Sequence, residues 1–275
     1  MANKAPFTMI NFVIWNVDPE IFSIGHFAVR YYGVLFASAF FFGYIIMARF
    51  FRMEGVPNEL LDKLTIYMAV GTIAGARLGH CFFYEPEYFL KHPVEILMIW
   101  KGGLASHGAA IGILLVLYLF ARKTGKSYWW VLDRVVIVVA LAGLFIRTGN
   151  LMNSEIYGVE TNLPWGFVFL RNGETVPKHP TQIYEALAYL FVFILLYFIY
   201  KKNRGVFKSG LLFSLFMILV FTFRFFVEFI KNNQVAFESG MKLNMGQWLS
   251  IPFVLFGVIL LFFVLKKPMP EQRNI

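Results

Sequence analysis

The sequence contains one cysteine, Cys81, which excludes an internal disulfide and a multi-thiolate metal site. Charge is scarce. Only 15% of the 275 residues are charged, where a soluble domain carries about a quarter. Familiar catalytic signatures are missing: there is no Gly-x-Ser-x-Gly elbow, no His-Glu-x-x-His motif and no phosphate-binding Walker loop. An enzyme built on this chain must therefore take its nucleophile from a substrate. No metal ligand set is visible, and no cofactor is expected. The N-terminus has no basic segment followed by a short apolar run and a small-residue cleavage site, so no cleaved signal peptide is expected.

What is abundant is apolar. The chain is 59% hydrophobic, with 33 phenylalanines and a mean hydropathy of +0.64. A membrane span needs about 20 such residues. Seven are expected, near 30–50, 64–84, 103–121, 131–151, 183–200, 210–230 and 247–265. Arg77 and His107 interrupt the second and third. Most prolines fall in the connections, and Pro252 is expected in the first turn of the last span, where it is tolerated. The reading is all-α: a polytopic membrane helix bundle forming a single integral membrane domain over residues 1–275.

The net charge of +9 does not indicate nucleic acid, because the basic residues sit in short loops between apolar runs. Positive residues concentrate in alternate connections, as at Arg49, Arg52 and Lys63, at Arg122, Lys123, Lys126 and Arg134, and at Lys201, Lys202, Arg204 and Lys208. That alternation places the N-terminus outside and the C-terminus in the cytoplasm. The 152–182 connection is then an extracytoplasmic loop or cap. Its Trp165, Phe167 and Phe169, with the turn signal Arg171-Asn172-Gly173-Glu174, are compatible with a small hairpin.

This topology collects the unusual polar residues in the outer half of the membrane. Arg77, Arg147, Arg224 and Glu228 end spans on that side. Tyr32, His107, Gln182, Tyr184 and Glu185 begin them. An arginine at mid-span costs about 2.5–3.5 kcal/mol. Pairing accounts for some of this: Glu228 is one turn from Arg224, and Glu155 and Glu185 are candidate partners for Arg147 and Arg77. Three arginines, a histidine and two asparagines at one depth go beyond structural pairing. Guanidinium forks match phosphate oxygens, so a phosphate-bearing lipid headgroup is the expected ligand. His107, flanked by glycines at a helix start, is a candidate base. His179 is expected to order the loop before span five. Gly71, Gly75 and Gly79 are spaced for close helix packing.

The residues also carry a resemblance. Arg147-Thr148-Gly149-Asn150-Leu151-Met152-Asn153-Ser154-Glu155-Ile156-Tyr157-Gly158 resembles the signature of the prolipoprotein diacylglyceryl transferases, with Ile146 and Leu151 replacing a Gly and a Phe. Six further blocks follow in family order: Arg30 to Gly33, Gly75 to Gly79, Gly102 to Gly108, His179 to Glu185, Arg224 to Phe229, and Met245 to Ser250. The resemblance implies transfer of diacylglyceryl from phosphatidylglycerol to the lipobox cysteine thiol of a preprolipoprotein signal peptide, with release of glycerol phosphate. It implies a multi-pass protein of the bacterial cytoplasmic membrane. Arg147 and Arg224 would hold the lipid phosphate, and His107 or a carboxylate would take the thiol proton. Glu155 and Glu228 would orient the arginines or bind headgroup hydroxyls, with Tyr32 and Asn150 as headgroup contacts. Arg77, Asn153, Gly158, Gln182, Tyr184 and Glu185 complete the expected substrate-binding set. A transporter or flippase for a phosphorylated lipid or small anion is the alternative, but it needs polar residues in the inner halves of the spans, and these are few.

Overall fold

The computed structural model describes residues 12–25, 27–232 and 240–269. His26 and Arg273 lie outside the described residues. The long elements are helices: α1 (Tyr31–Met53), α2 (Asn58–Phe83), α4 (Ser106–Thr124), α5 (Tyr128–Met152), α6 (Thr181–Lys202), α7 (Leu211–Val227) and α8 (Met245–Lys266). A short α3 (Pro86–Lys91) and two 3-10 turns occupy the connection between α2 and α4. Four short strands, β1 (Val13–Trp15), β2 (Glu20–Ile24), β3 (Phe27–Arg30) and β4 (Phe167–Phe169), are additions to the all-α expectation. Hydropathy does not reveal strands this short.

Among the described residues, six helices are long and apolar enough to cross a membrane: α1, α4, α5, α6, α7 with its 3-10 extension to Ile230, and α8. Helix α2 has 26 residues, about 39 Å of helix. It is more polar than the six, with Glu59, Asp62 and Lys63 near its start and Arg77 and His80 near its end. The chain is a multi-pass membrane protein.

Local chemistry sets the helix ends. Gly125, with φ 68°, ends α4 in the left-handed conformation after Arg122 and Lys123, where basic residues favour a helix C-terminus. Helix α8 begins earlier than the hydropathy run indicates, because Asn244 and Gln247 cap it reciprocally. Gln247 N donates to Asn244 Oδ1 (2.9 Å), and Asn244 N donates to Gln247 Oε1 (3.0 Å), a capping box. Pro252 therefore lies in the third turn rather than the first. Lacking an N–H, it removes the helical bond to the Trp248 carbonyl.

The chain divides into two compact units. One comprises residues 1–43, 137–198 and 214–263. In it β1 pairs in parallel with β4, and β2 with β3 antiparallel. Leu151, Phe167 and Phe169 form a small core, packed by Trp15, Tyr157 and Ile183. Trp15 Nε1 donates to the Leu151 carbonyl at 3.1 Å. The expected hairpin is present only as isolated antiparallel bridges of Lys178, with Phe167 and with Glu160; the strand itself pairs with β1.

The other unit comprises residues 44–136, 199–213 and 264–275. Here α2 lies directly against α4 through glycines. A Cβ on Gly75 would sit 2.9 Å from the Gly112 Cα, so only a hydrogen fits. Glu54 is the hub of a second buried cluster. Arg134 Nε and Nη2 each donate to it at 2.8 Å, Trp130 Nε1 donates at 2.9 Å, and the Tyr200 hydroxyl donates as well. Asp133 caps the start of α7, accepting from Gly210 N (2.7 Å) and Phe213 N (2.9 Å).

Candidate functional site

The last two turns of α5 place Arg147 and Asn150 one turn apart on one helix face, and Asn150 Oδ1 accepts from Arg147 Nη1 at 3.2 Å. Beyond Met152 the chain leaves the helix through Ser154 (φ 54°) and Ile156 (φ 61°). A β-branched residue in this region is strained. Two side chains near the start of α6 hold the strained segment. Thr181 Oγ1 donates to the Ile156 carbonyl (2.9 Å), and Gln182 Nε2 to the Glu155 carbonyl (2.7 Å). The Glu155 carboxylate is thereby brought back against the helix end, where Oε1 accepts from Asn150 Nδ2 (2.7 Å) and Asn153 Nδ2 (3.2 Å). Tyr32 packs from α1: a Cβ on Gly149 would sit 2.7 Å from the Tyr32 ring.

Arg147 does not pair with Glu155. Its Nη2 lies 3.1 Å from Glu185 Oε1 on α6. The same oxygen faces Lys231 Nζ at 3.5 Å. Lys231 Nζ is also 3.2 Å from Glu228 Oε1, and that oxygen is 3.7 Å from Arg224 Nε. Five charged side chains thus form one row: Arg147, Glu185, Lys231, Glu228, Arg224. Asn244 Nδ2 donates to Glu228 Oε2 at 3.2 Å, and Gly246 of α8 leaves space for that carboxylate.

Exposure differs along the row. The side chains of Glu185, Glu228 and Lys231 are 3%, 7% and 1% exposed, whereas Arg224 is 31% exposed. Arg224 and Glu185 also line a narrow cleft that continues into apolar surface, over Tyr189 and Val192 of α6 and Val220 and Phe223 of α7. Charge at one end and hydrocarbon at the other suit an amphiphile. Glu185 Oε2 and Gln182 Oε1 are buried without a hydrogen-bond partner among the described residues.

The sequence profile described as prolipoprotein diacylglyceryl transferase matches residues 19–263. The chain belongs to that family. A relative from Tolumonas auensis, named phosphatidylglycerol–prolipoprotein diacylglyceryl transferase, is 48% identical over 256 residues, covering 93% of this chain and 98% of the relative. Relatives of the same name from Chloroherpeton thalassium and Porphyromonas gingivalis are 43% and 42% identical, covering 96% and 97% of this chain and 98% and 100% of theirs.

The segment Arg147 to Gly158, which resembles the family signature, is the helix end and strained exit described above. Within one unit the structure joins Tyr32, Arg147, Asn150, Asn153, Glu155, Glu185, Arg224 and Glu228 around it. Gly158 has a framework part: its N–H donates to the His179 carbonyl (2.8 Å), and it bridges to Lys231 across an antiparallel pair. Gln182 acts on the Glu155 backbone, as given above. The Tyr184 hydroxyl accepts from Trp165 Nε1 (2.9 Å) and faces His179 Nδ1 at 3.3 Å. Burial holds the His179 imidazole below its usual pKa, in keeping with a loop-ordering part.

Arg77 and His107 belong to the other unit. Arg77 is buried and binds backbone. Its Nε donates to the Ile96 carbonyl (3.0 Å), Nη1 to that of Gly102 (2.6 Å), and Nη2 to that of Glu95 (2.6 Å), while the guanidinium lies over Phe89. These bonds fold the connection between α2 and α4. They engage all three guanidinium nitrogens. His107 is exposed in the first turn of α4, after Gly102 and Gly103, both at positive φ.

Lys231 is not among the residues that the sequence singles out for this site. Its spacing was the available signal. Arg224, Glu228 and Lys231 follow at four and then three residues, one helix face.

Proposed function

We propose that this chain transfers the diacylglyceryl group of phosphatidylglycerol to the thiol of a lipobox cysteine in a preprolipoprotein, forming a thioether and releasing glycerol phosphate. The observation that carries this reading is the ion-paired row that begins at Arg147, in the segment resembling the family signature, and runs through Glu185 to Arg224 at the charged end of an apolar cleft.

The chemistry follows from the groups present. The substrate cysteine attacks as thiolate at the glycerol carbon bonded to the phosphate oxygen. The carbon–sulfur bond forms as the carbon–oxygen bond breaks. The departing phosphate gains one negative charge. Preorganised cations aimed at developing charge are the main device for such a step, and Arg147 and Arg224 fill that role. Asn150, Asn153 and Glu155 form the polar wall beside Arg147, and Tyr32 borders it. His107, the histidine set at a helix start beside glycines, or a carboxylate takes the thiol proton. Arg77 serves by shaping the connection before His107.

With α2 counted, the chain has seven spans, the N-terminus outside and the C-terminus in the cytoplasm. The charge alternation supports this orientation. It sets the arginine row toward the outer leaflet of the bacterial cytoplasmic membrane, and residues 152–182 form an extracytoplasmic cap within one integral membrane domain.

The test is reconstitution. Purified protein with phosphatidylglycerol and a lipobox peptide yields a peptide heavier by one diacylglyceryl group at cysteine, with matching glycerol phosphate. Failure to form both products overturns the reading.

A further inference from the structure

We infer that Lys231 is a positioning residue of this site, whose charge leaves Arg147 and Arg224 available to a phosphate; the inference rests on the transferase reading above. Lys231 is the most buried member of the row, with its side chain 1% exposed. A buried ammonium is costly unless paired, and here it is paired twice, with Glu185 Oε1 at 3.5 Å and Glu228 Oε1 at 3.2 Å. Each of those oxygens also serves an arginine, Arg147 at 3.1 Å and Arg224 at 3.7 Å.

The charges decide the matter. Three cations share two carboxylates, so the row carries one net positive charge. Glu155 stands outside it, bonded to the amides of Asn150 and Asn153. A phosphodiester headgroup carries one negative charge, which the row matches. Without the Lys231 charge, each arginine would keep a carboxylate to itself and the row would be neutral. The sharing is visible at Arg224. Its contact to Glu228 is long, at 3.7 Å. Buried as it is, Lys231 acts through the glutamates rather than by touching lipid. Its backbone is held by the bridge to Gly158 and by the bond from Val159 N to the Ile230 carbonyl at 2.9 Å. Gly158 and Val159 thereby fix where the charge sits.

The experiment compares Lys231→Met, Lys231→Arg and the double variant Lys231→Met/Glu228→Gln in the full-length protein. KM for phosphatidylglycerol, kcat and thermal midpoint are read for each. Lys231→Met is expected to raise KM about tenfold, the loss of one charge-assisted attraction. Lys231→Arg recovers most of it. The double variant restores one net positive charge and lowers KM again relative to Lys231→Met. A structural salt bridge would change the midpoint without this KM pattern. A wild-type KM in folded Lys231→Met overturns the inference, as does a double variant with no KM recovery. If Lys231→Met does not fold, Lys231→Gln decides by the same criteria. Wild-type protein that releases no glycerol phosphate in this assay fails the transferase reading instead.

Discussion

Arg147 Nη2 lies 3.1 Å from Glu185 Oε1, and both side chains are largely buried, at 12% and 3% exposed. The arginine of the signature segment is thus neutralised from α6 and not by Glu155, five residues beyond the Asn150 amide that binds it. Arg147→Gln should therefore lower turnover by about 10²-fold or more, the range for losing one preorganised donor at a developing anion. It should also lower the thermal midpoint, because Glu185 keeps only Lys231. Glycerol phosphate release and a detergent melt measure the two effects. Arg147→Gln with normal turnover would remove the phosphate-clamp assignment.

Arg77 makes a different prediction. Arg77→Met leaves the carbonyls of Glu95, Ile96 and Gly102 without their donor, at about 1–3 kcal/mol for each that stays buried. The expected result is a lower melting point and faster amide exchange across residues 85–105. Arg77→Lys should rescue little, because one ammonium cannot reproduce the planar fork. Unchanged exchange in that connection would contradict the framework part given to Arg77.

The Glu54–Arg134 pair sets a third test, of stability alone. Their side chains are 13% and 4% exposed. Removing one partner of such a pair costs about 3–5 kcal/mol, because the other charge stays buried. Arg134→Met should be strongly destabilising, and Arg134→Met/Glu54→Gln less so. A double variant as unstable as the single one, measured by thermal unfolding, would count against this ion pair as the cluster's organising contact.

These contrasts show what the sequence made legible. Apolar runs located every long helix, and the spacing of Arg147 and Asn150 put both on one face. The pairing of Arg224 with Glu228 followed from one turn of helix. The partner of Arg147 was not readable, since Glu155 and Glu185 were equally available and only the strained exit at Ser154 and Ile156 decides between them. Arg77 looked like ligand-binding charge because a sequence does not show backbone carbonyls converging. Lys231 was overlooked because a basic residue after a span reads first as a topology signal. The short strands were hidden by their length, and β1 and β4 are far apart in the chain.

His179 supplies the pH dependence. Burial lowers its folded pKa below the ordinary value of 6.5. A histidine that binds its proton less readily when folded contributes no penalty well above that value. As pH falls below about 6.5, the unfolded state takes up the proton first and stability declines. The connection around His179 should loosen on acidification, read as faster proteolysis or amide exchange in residues 157–180 at pH 5.5 than at 7.5. His179→Gln should remove that part of the slope. An unchanged slope in the variant would assign it elsewhere.

The most direct test of the account is an experimental structure of the protein in nanodiscs containing phosphatidylglycerol. The account predicts phosphate density within about 2.7–3.2 Å of guanidinium nitrogens of both Arg147 and Arg224, with Lys231 still between Glu185 and Glu228. Phosphate density at another site, with both arginines bonded only to their glutamates, would contradict it.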